Sequence, residues 1–555
     1  MRCAKGAKYV TSVGIPTPAE ASRAGWVAVE QIRATKGLAP HTLVNRIGSF
    51  ILANERDAHH SEFLVVDGQP HLFDRLACEL YPTYLRHAPF RVLLASRYGL
   101  LHTDPLTRGV TAVMESYTVT SGRRVTGERF SYWDRSSQCL YLAHGPGHLY
   151  RLDGDTVHEE VNGAGPVVFL PIEHDIAQPD IGPHGELAGA LVDDLQYATE
   201  TGSGILSAAD QRLLFLSWIL ACGFGNRLPA KPLLLMEGDH ASGKTLALQR
   251  VQAALTGRTL PMTIGSKDEE DFPTMLLHET PIAIVDNQDT PIEWLRDAIA
   301  TYTTAGGWRK RVFYTRTESL WIKPQAFIGI TTRNPATYRR PDIADRCLLI
   351  RLAHRSVQGS PERILANVLE KRPRLYGEWL WMLNRIVKLM RTTEVPENFP
   401  YRMVDFAQMV IFTARILGLD DSAAHTLLHA AQAERDELVL EDDPLLDLLD
   451  RWLASPLTHR VEITAQDLYD HLAMLAGSAG QKFSYTPWSL SRRLRSLIGA
   501  LRRRMVIQHR TVEGKTRWMF APIAPTNGHA IEPLELPHTP APGTVDATIA
   551  GIVEA

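Results

Sequence analysis

The amino-acid sequence predicts an α/β protein whose central part is a parallel sheet with crossover helices. Four short apolar runs between Pro232 and Leu352 alternate with helix-patterned segments: PLLLME, PIAIVD, AFIGIT and CLLIRL. Such runs are typical of strands that are buried on both faces. A glycine-bounded loop, GDHASGKT, separates the first run from a helical pattern. The regions before and after this core have other patterns and predict further domains.

A chain of 555 residues is too long for one hydrophobic core, since domains usually span about 100–200 residues. We predict five segments: an N-terminal mixed α/β region (1–200), the α/β core (201–355), a helical lid or connector (356–440), a small separate domain (441–522) and a disordered tail (523–555). The tail is rich in Pro, Ala, Gly and Thr. Such a composition buries too little apolar surface to fold.

Two patterns organise the N-terminal region. FLVVDGQPHLFD predicts a hairpin with its turn at Asp67-Gly68. From Tyr117 to Pro171, short β-branched and aromatic runs separated by Gly, Asp and Asn predict an antiparallel sheet.

The bulk composition excludes several classes of protein. With 45% hydrophobic and 22% charged residues, the chain resembles a soluble globular protein. The net charge of -3 argues against a wholly basic nucleic-acid coat. The five cysteines form no C-x-x-C pair, so we expect a reducing, cytoplasmic compartment. No apolar run reaches the roughly 18 residues of a membrane span, so we expect no membrane association.

The loop GDHASGKT matches the pattern G-x-x-x-x-G-K-[ST]. Its glycines let the backbone curl so that successive N–H groups face phosphates, and the following helix adds its positive dipole end. Lys244 is then expected to meet the β- and γ-phosphates of ATP, and the Thr245 hydroxyl to bind Mg²⁺. The whole loop is predicted to bind the nucleotide: Gly238, Asp239, His240, Ala241, Ser242, Gly243, Lys244 and Thr245.

A carboxylate at the end of a neighbouring strand is also needed on the metal side of such a site. TPIAIVDNQD supplies Asp286. Many ATPases have a glutamate next, which orients the attacking water, but Asn287 stands here. An amide positions water but cannot take a proton. The candidate substitutes are Glu237, Glu269, Glu270 and Asp289, although for each of them a solvated surface acid is favoured over a catalytic role.

Two further residues follow apolar strands in the order expected of such a site. AFIGITTRNP ends near Asn334, where a sensor of the γ-phosphate is expected. RRPDIADR precedes the last strand and supplies Arg346 as an arginine finger that acts on another subunit's γ-phosphate. Arg339 and Arg340 are weaker alternatives, and a surface ion pair is the other interpretation for each.

These motifs, in this order, resemble superfamily 3 helicases, the branch near the AAA+ ATPases, and especially the helicase part of phage- and poxvirus-type primase-helicases. The resemblance covers about residues 205 to 355 and includes LLFLSWILACGF, the loop, VDN, TTAGGWRKRVFY and DIADRCLLIRL. The preceding half, with HLFDRLACELY and LYRLDGDTV, is similar to the helicase-associated region of such proteins, with lower specificity. The Asp-Asn pair departs from the family's acidic pair, and no primase motif is evident upstream.

The resemblance implies a homo-oligomeric ring, usually a hexamer, with ATP between subunits and a basic hairpin that grips one DNA strand. A separate primase is then an expected partner. The segment GGWRKRVFYTRTESLWIKP holds the matching positions Arg309, Lys310, Arg311, Arg316 and Lys323, beside the aromatic residues Trp308, Phe313 and Tyr314. Such a mixture suits phosphate neutralisation and base stacking. A charged surface ribbon is the alternative.

A second basic segment lies between Gln481 and Phe520, where Glu513 is the single acid. Apolar residues repeat at helical spacing from Leu490 to Leu501, and arginines lie off that stripe. Two strands around Glu513-Gly514 follow. This order resembles a winged-helix domain. The predicted DNA contacts are Arg492, Arg495, Arg502, Lys515 and Arg517. A protein-binding winged helix and a merely solvated basic helix remain alternatives.

The leading interpretation is an ATP-dependent DNA helicase or translocase of a phage, plasmid or integrated mobile element. Lys244, Thr245 and Asp286 would hold Mg-ATP, Asn334 would sense it, and Arg346 would complete a neighbour's site. One alternative is an AAA+ switch in defence or signalling. Another, motivated by Asn287, is a DNA-binding scaffold that binds ATP and hardly hydrolyses it.

Overall fold

The structure is a computed structural model that forms two compact units, Met1–Asp443 and Pro444–Ala555. It describes residues 18–75, 79–145, 147–170, 178–198, 206–259, 261, 264–265, 267–290, 292–303, 308–311, 319–322, 325–355, 359–393, 401–440, 443–480, 482–512 and 515–523. The predicted tail lies outside these residues from position 524 on. None of the helices that the structure describes combines the length and apolar character needed to cross a membrane.

The first unit opens with helices packed on a mixed sheet. Its elements up to residue 169 are α1 (Pro18–Arg33), α2 (Pro40–Ala58), β1 (Glu62–Val66), β2 (Gln69–Asp74), β3 (Glu79–Pro82), α3 (Ala88–Tyr98), α4 (Pro105–Ser121), β4 (Arg123–Glu128), β5 (Ser131–Asp134), β6 (Cys139–Ala143), β7 (His148–Leu152), β8 (Val157–Val161) and β9 (Val167–Phe169). One sheet has the order β3-β2-β1-β4-β9, and a second has the order β5-β6-β7-β8.

The predicted hairpin is confirmed. β1 pairs antiparallel with β2, with Val66 opposite Gln69. Asp67 and Gly68 connect them with φ values of 50° and 82°. A two-residue hairpin turn with both φ angles positive matches the right-handed twist of the strands, and Asp-Gly adopts it readily.

The prediction of one antiparallel sheet from Tyr117 to Pro171 was partly wrong. β5 to β8 form an antiparallel sheet, whereas β4 and β9 pair in parallel within the first sheet. Residues up to Ser121 belong to α4, which buries Val110, Met114 and Thr118 at helical spacing. Burial of that stripe outweighs the local β propensity of the Thr and Val residues.

The predicted parallel sheet is confirmed in the central part of the first unit. Its elements are α5 (Ala208–Ala221), β10 (Leu233–Glu237), α6 (Lys244–Thr256), α7 (Phe272–His278), β11 (Ile282–Val285), α8 (Glu293–Tyr302), β12 (Trp308–Arg311), β13 (Ser319–Ile322), β14 (Phe327–Thr332), α9 (Pro341–Ala344) and β15 (Cys347–Arg351). The sheet order is β11-β14-β10-β15, and all neighbours are parallel. The carboxyl ends of all four strands therefore meet at one edge.

In the described residues from 359 to 440, three helices complete the first unit: α10 (Pro361–Thr392), α11 (Val404–Ile416) and α12 (Asp421–Leu440). α10 packs on α6, α11 on α5, and α12 lies beside β15. A Cβ at Gly377 would lie 1.8 Å from the carbonyl oxygen of Asp180, so only glycine allows the chain to approach α10 there. The packing of α10 on α6 connects these C-terminal helices to the first helix after β10.

The second unit is a small mixed domain. It consists of α13 (Pro444–Leu453), β16 (Glu462–Thr464), α14 (Ala465–Ser478), α15 (Pro487–Leu501), β17 (Met505–Val512) and β18 (Lys515–Pro522). The strands form an antiparallel sheet of order β16-β18-β17. The predicted pair of strands at the end of this region is thus confirmed. Leu490, Leu494, Leu497 and Leu501 of α15 are buried, as their spacing predicts.

Candidate functional site

The loop between β10 and α6 is curled by two residues in the left-handed region. Ala241 has φ 62° and Gly243 has φ 85°. Gly238 begins the loop, where a Cβ would lie 2.4 Å from the Leu352 carbonyl oxygen. α6 starts at Lys244, so its unpaired N–H groups and positive dipole end face the loop. The local backbone therefore offers a site for an anion.

The Lys244 ammonium lies over the loop. It donates hydrogen bonds to the carbonyl oxygens of Gly238, at 2.5 Å, and Asp239, at 2.8 Å, and to Ser242 Oγ at 3.3 Å. Burial lowers the pKa of Lys244 below its ordinary value, against the attraction of Asp289 and Asp286. The loop thus holds the Lys244 cation against its own carbonyl oxygens, next to the start of α6.

Asp286 connects the loop to two strand ends. Its Oδ1 accepts a hydrogen bond from Thr245 Oγ1, at 2.6 Å, and another from Thr331 Oγ1, at 2.7 Å. Thr245 lies in the first turn of α6, and Thr331 near the end of β14. A hydroxyl and a carboxylate held side by side are hard oxygen ligands of the kind that Mg²⁺ prefers.

The segment after β11 turns across the end of β14. Asn287 has φ 55°, a left-handed conformation that Asn tolerates better than most residues. Its N–H donates to Thr331 Oγ1 at 2.8 Å, and the N–H of Gln288 donates to the Thr331 carbonyl at 2.9 Å. This turn exposes the Asn287 side chain and brings the next acid, Asp289, back to the sheet edge.

Asp289 is held by the first residues after β14. Its Oδ1 accepts from Thr332 Oγ1, at 3.1 Å, and from the N–H of Arg333, at 2.7 Å. Its Oδ2 accepts from Arg333 Nε at 2.6 Å. Burial alone would raise the pKa of Asp289, but the hydrogen bonds from Arg333 and Thr332 together lower it below its ordinary value. Asp289 is therefore a charged carboxylate close to the loop.

A cavity of about 440 Å³ lies against the loop. Its polar lining includes Lys244, Thr245 and Asp286, and its apolar lining includes Leu246 and Ile364. A nucleoside triphosphate combines a charged phosphate chain with an aromatic base, whose faces can pack on apolar side chains. The donors and the hydroxyl-carboxylate pair in this cavity therefore fit a triphosphate with one Mg²⁺.

The four acids considered as substitutes for a catalytic glutamate have different environments. Glu237 pairs with Arg351 at 2.9 Å, and Arg351 also pairs with the buried Glu434. Glu269 and Glu270 are exposed on the segment before α7. Asp289 is bonded to Thr332 at the end of β14 and to Arg333, which lines the cavity.

The predicted γ-phosphate sensor, Asn334, and the predicted arginine finger, Arg346, lie at different places in the core. Asn334 is exposed, and its N–H donates to Thr332 Oγ1 at 3.0 Å. Arg346 donates from Nη1 to the carbonyl oxygen of Ala300 at 2.9 Å, at the end of α8. Its alternative Arg340 is bound to Asp342 and Asp297, while Arg339 is half-buried. The cavity lining at the loop does not include Arg346.

β12 and β13 form a two-stranded antiparallel ribbon, with Arg309 opposite Trp321 and Lys310 opposite Leu320. The backbone of Arg311 belongs to the same ribbon. Arg316 and Lys323, together with Phe313 and Tyr314, lie outside the described residues. The hairpin expected at this position is confirmed for its paired backbone.

Several of the residues predicted to bind DNA in the second unit contact other residues of that unit. The Arg492 guanidinium lies 5.4 Å from the ring centroid of the exposed Trp488. Arg495 donates to Thr516 Oγ1 at 2.6 Å, and Arg517 lies 3.8 Å from Glu462. Further contact candidates are the exposed Arg502, which follows α15, and Lys515, of which only the backbone is described.

Two residues of the site were missed by reasoning from the sequence. Thr331 bonds Asp286, and Arg333 bonds Asp289 and lines the cavity. Their signal in the sequence is the polar segment TTRN directly after the apolar run AFIGI, of which only Asn334 was selected. Polar residues at the end of a buried parallel strand are all candidates, because this edge of the sheet is where ligands bind.

Residues 202–442 match the model of a family described as the actinomycete integrative conjugative element replication protein. Over this part, the chain is similar to replication proteins of integrative conjugative elements. The matched residues include the loop, Asp286 and Arg346. No curated protein matches the chain.

The solved structures that match this chain include the apo C-terminal region of NrS-1 and an active helicase, Cch of SCCmec type IV. The first has 9% identity and a TM-score of 0.38, and the match covers 83% of this chain and 95% of that one. The second has 11% identity and a TM-score of 0.41, and the match covers 82% and 89%. At these identities and TM-scores, neither match assigns an activity to this chain.

Proposed function

We propose that this chain is an ATP-dependent DNA helicase or translocase that serves the replication of a mobile genetic element. The observation that carries the proposal is the hydrogen bond of Thr245 to Asp286 beside the curled loop. This bond holds the hydroxyl and the carboxylate that would bind Mg²⁺ next to Lys244 and the start of α6, which would bind a triphosphate. The similarity of residues 202–442 to replication proteins of conjugative elements supports a role in the replication of such an element.

In this proposal the core is a P-loop ATPase of the AAA+ type. The N–H groups of the loop and the Lys244 ammonium bind the phosphates of ATP, while Thr245 and Asp286 hold Mg²⁺. A bound Mg²⁺ would neutralise charge on the β- and γ-phosphate oxygens. Lys244 must exchange its carbonyl partners, Gly238 and Asp239, for phosphate oxygens. That exchange is favourable because a phosphate oxygen carries negative charge, so it attracts the ammonium more strongly than a neutral carbonyl oxygen does.

Hydrolysis is proposed to need a second subunit. Asn334 follows β14 and would sense the γ-phosphate from within the same chain. Arg346 is bonded to the end of α8 of its own chain and does not line the loop cavity, as expected of a group that serves a neighbouring site. A homo-oligomeric ring, with six subunits as the working expectation, would supply that neighbour.

Two parts of the chain are proposed to bind DNA. The ribbon of β12 and β13 would face the channel of the ring. Its first strand contains Arg309, Lys310 and Arg311. We infer a winged helix in the second unit, with α15 as its recognition helix; the order of its helices and strands and the sheet order β16-β18-β17 support this inference. The arginines of α15 would then bind backbone phosphates.

Strand displacement on a forked duplex tests the proposal. Purified full-length protein with Mg-ATP is expected to separate the fork, and Lys244→Ala is expected to abolish separation. Phosphate release should rise when single-stranded DNA is added. If DNA does not change the rate of ATP hydrolysis and the fork is not separated, the helicase proposal is contradicted and an AAA+ switch is favoured.

The second candidate is an ATP-binding DNA scaffold with little hydrolysis. It is favoured by Asn287, whose exposed amide occupies the position directly after Asp286 and cannot accept a proton. Under this alternative, ATP and DNA both bind, yet steady-state phosphate release stays at the level of Lys244→Ala. The same phosphate-release measurement therefore separates the two candidates.

A further inference from the structure

The proposed ATPase lacks a proton acceptor at the position where such enzymes usually have one. Asn287 follows Asp286 and can orient water through its amide, but it has no carboxylate. Asp286 itself is engaged by Thr245 and Thr331. A different carboxylate must therefore take the proton if the chain hydrolyses ATP efficiently.

Asp289 is placed to do so by the turn at Asn287. The left-handed residue reverses the chain after β11, so Asp286 and Asp289 both reach the carboxyl edge of the sheet. Both attract the Lys244 ammonium. Glu237, by contrast, pairs with Arg351, which is 11% exposed and is also held by the buried Glu434, so this arginine is not free to leave its carboxylate. Asp289 is fixed at the end of β14 by several hydrogen bonds, and its connection to the cavity is Arg333, which lines the cavity.

Arg333 holds the Asp289 carboxylate and also lines the cavity with Lys244 and Thr245. Its side chain is 45% exposed, whereas that of Asp289 is 18% exposed. The guanidinium is therefore able to turn toward a ligand in the cavity, while Asp289 stays attached through Thr332 and the backbone N–H of Arg333. A γ-phosphate, with more negative charge than one carboxylate, competes strongly for the guanidinium.

We propose that Asp289 accepts the proton of the attacking water, and that Arg333 restrains Asp289 until a γ-phosphate takes over the guanidinium. This inference rests on the proposed ATPase function. The water oxygen, oriented by Asn287, bonds to the γ-phosphorus, and the bond from that phosphorus to the β,γ-bridging oxygen breaks. The bridging oxygen keeps the electron pair and leaves with ADP, and the water proton passes to the Asp289 carboxylate. ADP has no γ-phosphate and leaves the Arg333–Asp289 pair intact.

The test compares ATP turnover and nucleotide binding in full-length variants. Asp289→Asn should lower kcat by about 100-fold or more while the KM for ATP changes little. Asp289→Glu keeps the carboxylate and should retain more turnover than Asp289→Asn. Asp421→Asn is the matched control, since Asp421 forms an equivalent two-bond pair with Arg415 in the same unit, away from the cavity. Its turnover should equal that of the unsubstituted protein.

Arg333→Gln tests the exchange itself. It should weaken ATP binding about tenfold and leave ADP binding nearly unchanged, because only ATP offers the phosphate that takes the guanidinium. Unreduced turnover in Asp289→Asn overturns the inference and leaves the ATPase proposal standing. Loss of ATP binding together with turnover in Asp289→Asn also overturns it, since the role would then be structural. If the unsubstituted protein releases no more phosphate than Lys244→Ala, both proposals fail.

Discussion

Thr331 Oγ1 donates to Asp286 Oδ1 at 2.7 Å and accepts the N–H of Asn287 at 2.8 Å. One hydroxyl at the end of β14 therefore fixes both the carboxylate and the turn that follows it. Because the two strands are parallel neighbours, this hydroxyl sets the direction of the proposed metal ligand from outside its own strand.

Thr331→Val removes both hydrogen bonds and keeps the shape of the side chain. Outer partners of metal ligands typically contribute about 10–100-fold in metal affinity, so the Mg²⁺ concentration for half-maximal ATP turnover should rise by about tenfold. A Mg²⁺ titration of phosphate release measures this. Thr413→Val is the control, because Thr413 is buried in α11 and its hydroxyl bonds the Met409 carbonyl of its own helix. An unchanged Mg²⁺ requirement would rule out this role for Thr331.

The buried pairs of Arg351 predict a large stability effect. Its side chain is 11% exposed and contacts Glu237 and the nearly inaccessible Glu434. Arg351→Met leaves both carboxylates without this partner and should lower the free energy of unfolding by about 3–5 kcal/mol. Urea unfolding of the first unit within the full chain measures the loss.

Arg402→Met is the matched control for that experiment, since Arg402 is 53% exposed and pairs with Asp345 at the surface. Surface pairs contribute about 0–1 kcal/mol, so its loss should be small. Equal losses in the two variants would mean that the Arg351 cluster contributes no more than a surface pair.

His59 predicts acid sensitivity in the N-terminal part of the first unit. It is 1% exposed and its Nε2 has no hydrogen-bond partner among the described residues. Burial lowers the pKa of His59 below the ordinary value of 6.5. As the pH falls, the unfolded chain therefore binds a proton at His59 at a higher pH than the folded chain does. The contribution of His59 to stability is complete above pH 6.5 and is lost as the pH falls below it.

His59→Asn should consequently flatten the fall in unfolding free energy between about pH 7 and 5.5, by up to about 1.4 kcal/mol per pH unit. Thermal or urea unfolding across that range measures the slope. His60→Asn changes the exposed neighbouring histidine and should keep the original slope. A His59→Asn curve parallel to that of the unsubstituted protein would contradict the prediction.

The local patterns of the sequence predicted the four parallel strands, the loop and the β1–β2 hairpin, because each depends on residues close together in the chain. The parallel pairing of β4 with β9 was missed because strand partners are chosen by packing over long distances. The Asp289–Arg333 pair was missed for the same reason: its residues are 44 positions apart and meet only through the alignment of β11 with β14. Asp286 was predictable because it directly follows its strand.

The basic helix α15 predicts a salt-dependent affinity for duplex DNA. Arg492→Gln and Arg502→Gln should each weaken binding at every DNA sequence and reduce the slope of log affinity against log salt by roughly 0.9. Fluorescence anisotropy of a labelled duplex over a salt series measures both quantities. Arg451→Gln is the control, since Arg451 pairs with Asp447 within α13. Slopes that equal the control's would show that neither arginine binds a phosphate.

Arg346 predicts complementation between subunits. If its guanidinium serves a neighbour's γ-phosphate, Arg346→Ala should bind ATP normally and lose about 1000-fold or more in turnover. Lys244→Ala should fail to bind ATP yet still present Arg346. An equimolar mixture of the two inactive variants should regain part of the turnover, because some interfaces then combine an intact loop with an intact Arg346. Arg340→Ala controls for the loss of an arginine bound within its own chain by Asp342 and Asp297. A mixture as inactive as its components would place the role of Arg346 within its own chain, where it bonds the end of α8.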